Sequence, residues 1–140
     1  MTVPSIRTQA FLGSAVMAFV LLLMFWPHGG GSRAVQVAAA TPDYAVQVRL
    51  PHPDTGSDQA DITVDRRDHG PVQLSQVTVD ALMPSMGHAM PALTAAATGP
   101  GQYRTQGQLF LMAGSWQLSV HLYGAAGSEV VTVPVTVPAS

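Results

Sequence analysis

Ser115–Tyr123 reads Ser-Trp-Gln-Leu-Ser-Val-His-Leu-Tyr, and its alternation decides the fold class. Trp116, Leu118, Val120 and Leu122 share one parity, while Gln117, Ser119, His121 and Tyr123 share the other. Successive side chains of an extended chain point to opposite faces, so this pattern predicts a strand with one buried and one wet face. The same period recurs on both sides. Glu129–Val137 places Val131, Val133, Val135 and Val137 on one face, and Gln76–Leu82 does so with Val77, Val79 and Ala81. Gln59–Asp65 buries Ile62 and Val64, and Tyr44–Leu50 buries Val46, Val48 and Leu50. Tyr103–Met112 adds a further strand, although the unbroken apolar run Leu109–Met112 blurs its phase. Pro134 has no N–H to donate to a ladder, which assigns its strand to a sheet edge.

The breaks between these runs carry turn chemistry: Pro51-His-Pro-Asp54, Arg67-Asp-His-Gly-Pro71, Gly99-Pro-Gly101, Ala113-Gly114 and Gly124-Ala-Ala-Gly127. No stretch after residue 43 has a helical period. Six or seven short strands in this span predict an all-β fold, an immunoglobulin-like antiparallel β-sandwich over residues 43–138.

Composition narrows the function. The chain has 140 residues, enough for one domain of ordinary size. It is 47% hydrophobic and 10% charged, against a usual charged share of about 25%. Its six basic residues are all arginine and its net charge is −2, so no basic stripe exists to displace phosphate counterions, and no nucleic-acid partner is expected. Cysteine is absent, which excludes disulfides, thiolate zinc sites, iron–sulfur clusters and cysteine nucleophiles.

Ala10–Trp26 is an uncharged apolar run of 17 residues preceded by Arg7. Two readings fit residues 1–26. One is a cleaved signal peptide, with Ala38–Ala40 as small residues for the cut; the other is a retained signal-anchor helix with Trp26 at the interface. Both place the rest of the chain outside the cytoplasm, periplasmic or at the cell surface, and an uncleaved helix would hold it to the membrane. Residues 27–42, rich in glycine and alanine, are expected to be a linker, because three consecutive glycines do not hold a helix.

The chemistry lies in Leu82–Ala92, Leu-Met-Pro-Ser-Met-Gly-His-Ala-Met-Pro-Ala. Met83, Met86, His88 and Met90 fall within eight residues, Pro84 and Pro91 bracket them, and Gly87 lets the chain turn. A thioether is a soft neutral donor and an imidazole a borderline one, a combination that selects Cu(I) over hard cations. Zinc and calcium do not favour thioethers. In a strand, Met86, His88 and Met90 would share one face. Met112, at a predicted strand end, is a further candidate. Against this stands a packing role: methionine fills irregular gaps in apolar cores, and Met83 and Met86 would then plug one end of the sandwich. His52 and His69 lie in turns, His28 in the linker, and His121 on an outer face. Trp116 is expected in the core. Asp61, Asp65 and Asp68 do not have the spacing of a calcium loop. No phosphate loop, nucleophile elbow or zinc-protease pair is present, so enzymatic activity is not expected.

Val79–Val120 resembles the YtkA-like domain, a small exported β-sandwich family, and more weakly resembles the FixH-type proteins. The features that carry the resemblance are Met83-Pro-Ser-Met-Gly-His88, Gly101-Gln-Tyr103, Leu109-Phe-Leu-Met-Ala-Gly114 and Trp116-Gln-Leu118. The resemblance implies an immunoglobulin-like fold outside the membrane, often tethered, and an association with copper handling or the assembly of respiratory oxidases. Residue by residue it points to Met83, Met86, His88 and Met112; Met90 rests on the donor argument alone. The expected function is an extracytoplasmic copper carrier or assembly factor that binds Cu(I) and passes it to a membrane-protein or copper-acceptor partner. The competing expectation is a non-metal interaction module of a membrane complex.

Overall fold

A computed structural model describes residues 34–139. The apolar segment Ala10–Trp26, expected as leader or anchor, lies outside the described residues. Among the described residues, no helix is long and apolar enough to cross a membrane. Ten strands follow in order: β1 (Val35–Ala40), β2 (Tyr44–Leu50), β3 (Gly56–Arg66), β4 (Leu74–Met83), β5 (His88–Ala89), β6 (Leu93–Thr94), β7 (Ala96–Gly99), β8 (Gln102–Phe110), β9 (Gly114–Gly124) and β10 (Gly127–Val137). All pair antiparallel. One sheet has the order β1-β2-β3-β8-β7. The other has the order β10-β9-β4-β5, with β6 also paired to β4.

The strands expected from alternation are β2, β3, β4, β8, β9 and β10, and their inward residues form the core. Val46, Val48, Ile62 and Val64 of the first sheet and Val79, Leu118, Val120 and Val133 of the second belong to one buried cluster. Each such side chain, removed from water, contributes roughly 1.5–3 kcal/mol. Trp116 is fully buried as expected, with its ring edge-on to Phe110 at 5.6 Å. Pro134 lies in β10, an edge of the second sheet, where its missing N–H faces no partner strand.

The count of six or seven strands is too low. Residues 35–40, expected as linker, pair with β2 along their full length, from Val35↔Leu50 to Ala40↔Ala45. Val35, Val37 and Ala39 turn toward the core and Gln36, Ala38 and Ala40 away from it, a period-two pattern next to the glycine run. The segments β5, β6 and β7 are two to four residues long and add no periodic signal of their own. Thr78, of opposite parity to Val77 and Val79, is nonetheless buried in β4, paired to both β6 and β9.

The registers place several loops at one end. Gly56 of β3 pairs with Phe110 at the end of β8, and Val137 at the end of β10 pairs with Gly114 at the start of β9. Leu82, near the end of β4, pairs with Gln117. Leu111–Ala113 carries the chain from β8 of one sheet to β9 of the other, so the β2–β3 loop, the β8–β9 connection and the turn after β4 share this end.

Candidate metal centre at the β4–β5 turn

β4 ends at Met83, and Pro84–Gly87 forms a turn into β5. The Met86 N–H donates to the Met83 carbonyl at 3.3 Å, and the Gly87 N–H to the Pro84 carbonyl at 3.4 Å. Proline at the second position of such a turn is pre-set in φ. Gly87 has φ +63, the left-handed region that favours glycine, and its Cα has open space around it. Backbone conformation, not crowding, is therefore what calls for glycine here.

The pairing that follows is Leu82↔Ala89 and Met83↔His88, and the Met90 N–H continues it with a 2.8 Å bond to the Ala81 carbonyl. Directly opposed residues of an antiparallel pair project to the same face. Met83 follows Val77, Val79 and Ala81 on the inner face of β4, so His88 shares that face, and alternation adds Met90. Met83 is 3% exposed and Met90 8%, while the His88 side chain between them is exposed. Met86 does not join this row, as a continuous strand would have had it. It sits in the turn and is 63% exposed, so it plugs nothing.

Met112 lies half-buried in the β8–β9 connection. The indole N–H of Trp116 donates to its carbonyl at 3.0 Å, tying the connection to the core. The Met83 methyl lies 3.0 Å from the position that a Cβ on Gly114 would occupy. Met83 thus reaches the start of β9, two residues beyond Met112. The structure brings Met83, His88 and Met90 onto one sheet edge, sets Met86 at the tip of the turn, and places Met112 at the neighbouring connection. Two thioethers and an imidazole on one face, with a further thioether at the turn tip, make a donor set suited to a soft cation.

Of the remaining histidines among the described residues, none lies on β4 or β5. His121 Nε2 is 2.6 Å from Asp80 Oδ2 on the outer face of the second sheet, and its ring stacks on Tyr123. His52 and His69 are exposed in loops. Asp68, in the β3–β4 turn, receives the Gly70 N–H and the Arg66 guanidinium, which hold its carboxyl below the usual range. Among the described residues, no three His, Cys, Asp or Glu side chains gather as a metal site.

Asp58 lies outside every motif of the sequence. It occupies an inward position of β3, two residues before Ala60, and is 6% exposed. The Asp54 N–H donates to its two oxygens at 3.3 and 3.4 Å. Burial pushes its carboxyl up to about 6, against the opposing effect of that backbone hydrogen bond. The parity of Asp58 with Ala60, Ile62 and Val64 was the available signal.

Among solved structures, FetP of uropathogenic Escherichia coli strain F11 shares 6% identity with the chain. The match covers 76% of this chain and 97% of that one at a TM-score of 0.51, a likeness of fold alone. An engineered protein matches at 17% identity over 74% of this chain with a TM-score of 0.47; the chain spans about 20% of its length. No curated protein matches the chain. The family model described as YtkA-like matches residues 38–121, more than half of the sequence and the span that contains the Met83–Met90 turn, and the chain belongs to that YtkA-like family.

Proposed function

We propose that this chain is an extracytoplasmic copper-binding protein, an immunoglobulin-like sandwich that holds Cu(I) at the β4–β5 turn and passes it on as a carrier or assembly factor. The observation that carries the reading is the register Met83↔His88, with Met90 on the same face and Met86 exposed at the turn tip. A methionine that is 63% exposed has little packing to do, and ligation gives it a role that burial does not. Met83 and Met90 offer anchored thioethers, while His88 and Met86 are the donors a partner can reach. Transfer then proceeds by ligand exchange from the exposed side, and the protein acts as carrier, not catalyst. The apolar segment Ala10–Trp26 supports a location outside the cytoplasm, either released or tethered. X-ray absorption of the Cu(I)-loaded protein tests the donor set. Sulfur scatterers with a nitrogen contribution that vanishes in His88→Ala are expected, and a shell of oxygen and nitrogen alone would overturn it.

A second reading has its own support. Leu82 and Leu111 are exposed at the same end as Met86. An apolar rim of this kind fits a contact surface for a membrane-protein partner, with or without metal.

A further inference from the structure

The outer face of the first sheet carries a transverse row of side chains set by register. Gln36 of β1 is opposite Arg49 of β2, Arg49 is opposite Asp61 of β3, and Asp61 is opposite Arg104 of β8. These residues line a groove that also takes in Gln47, Thr63 and Gln102. Its charged residues are two arginines and one aspartate. The aspartate is already engaged: Asp61 Oδ1 accepts from Arg104 Nε at 2.6 Å, and Gln59 Nε2 donates to the same carboxylate at 3.1 and 3.2 Å. Arg49 faces Asp61 in register, yet among the described residues its guanidinium has no ion pair. Gln36 Nε2 donates to Gln47 Oε1 beside it at 3.5 Å. The groove therefore holds one unmatched positive charge among amides and hydroxyls.

We infer that this groove is a second binding site, separate from the methionine turn, for an acidic peptide segment whose carboxylate pairs with Arg49. A guanidinium offers two parallel N–H donors in the geometry a carboxylate accepts. The flanking amides of Gln47 and Gln102 and the Thr63 hydroxyl match the hydrogen-bonding groups of a peptide backbone. An isolated exposed ion pair is worth little, so the contacts across β1, β2, β3 and β8 must act together. That requirement favours an extended peptide over a small acid.

The test is an amide-resolved NMR titration of the full chain in detergent with a capped Gly-Glu-Gly-Glu-Gly peptide. The same peptide with Gln for Glu, and free glutarate, serve as comparisons. Shifts confined to β1, β2, β3 and β8, and weakened about tenfold by Arg49→Gln, are expected. Arg49→Lys should retain part of the affinity. Asp61→Asn should tighten binding, because it frees Arg104, and a purely structural role for the row does not predict that gain. Equal binding of the Gln peptide, glutarate binding as tightly as the peptide, or no shifts in the groove would each overturn the inference.

Discussion

Met83 and His88 oppose each other across the β4–β5 pair, a buried thioether beside an exposed imidazole on one face of a sheet edge. The relationship depends on a four-residue turn closed by Gly87 at φ +63. A turn one residue longer or shorter would move His88 to the opposite face. The methionines around this pair then divide by burial: Met83 and Met90 are held by packing, while Met86 is free of it.

Met86→Leu should leave stability within about 0.5 kcal/mol, because the side chain is exposed, while lowering Cu(I) affinity. Met83→Ala should cost about 2–5 kcal/mol, the usual range for truncating a buried large side chain. Urea denaturation of both variants, alongside a Cu(I) competition assay, checks the contrast. A large stability loss in Met86→Leu would return that residue to a packing role.

Gly114 is held by two constraints at once. Its φ is +140, and a Cβ there would lie 3.0 Å from the Met83 methyl. Gly114→Ala should therefore destabilise the fold by about 1–3 kcal/mol and displace Met83. Denaturation midpoints measure the first effect. Chemical shifts of the Met83 methyl report the second, and an unmoved methyl would contradict the close approach.

Asp58 makes stability depend on pH in an unusual direction. Its folded pKa is raised from 3.8 to about 6, so the folded state holds the proton more tightly than the unfolded chain does. This contribution is favourable in acid, and it is lost as pH rises from about 4 to about 6. Asp58→Asn should remove that slope and be more stable at neutral pH, by at most roughly 2–3 kcal/mol. Thermal melts of both proteins across this window decide it; parallel curves would show that Asp58 does not titrate this way.

Trp116→Phe keeps an aromatic ring in the core but removes the donor to the Met112 carbonyl. A net loss of about 1 kcal/mol is expected from the hydrogen bond, plus a packing loss from the smaller ring. Faster amide exchange should be confined to the β8–β9 connection. Uniform acceleration through the domain would show that the bond does not act locally.

The long strands were legible because half-burial writes itself as alternation. Trp116, Leu118, Val120 and Leu122 needed no other information. Short pieces carry no such record. His88–Ala89 has two residues, too few for a period, so its pairing with Met83 could not be read before the turn length was known. Val35–Ala40 does alternate, but its small residues and the neighbouring glycines read as linker. Leu109 and Phe110 are both buried where β8 leaves its sheet, which explains the blurred phase there. Of the candidate site, the donor types were legible; which methionines are buried was not, because burial at a sheet edge depends on what lies across it. The bond from Trp116 to Met112 and the approach of Met83 to Gly114 depend on three-dimensional neighbours that no local pattern encodes.

The most direct measurement is a Cu(I) titration of the full chain in detergent against a competing chelator, beside a Met86→Leu/His88→Ala double variant. The account predicts one-to-one binding in the natural sequence and its loss in the double variant, with the fold intact by circular dichroism. No binding by the natural sequence, or undiminished binding by the folded double variant, would contradict it.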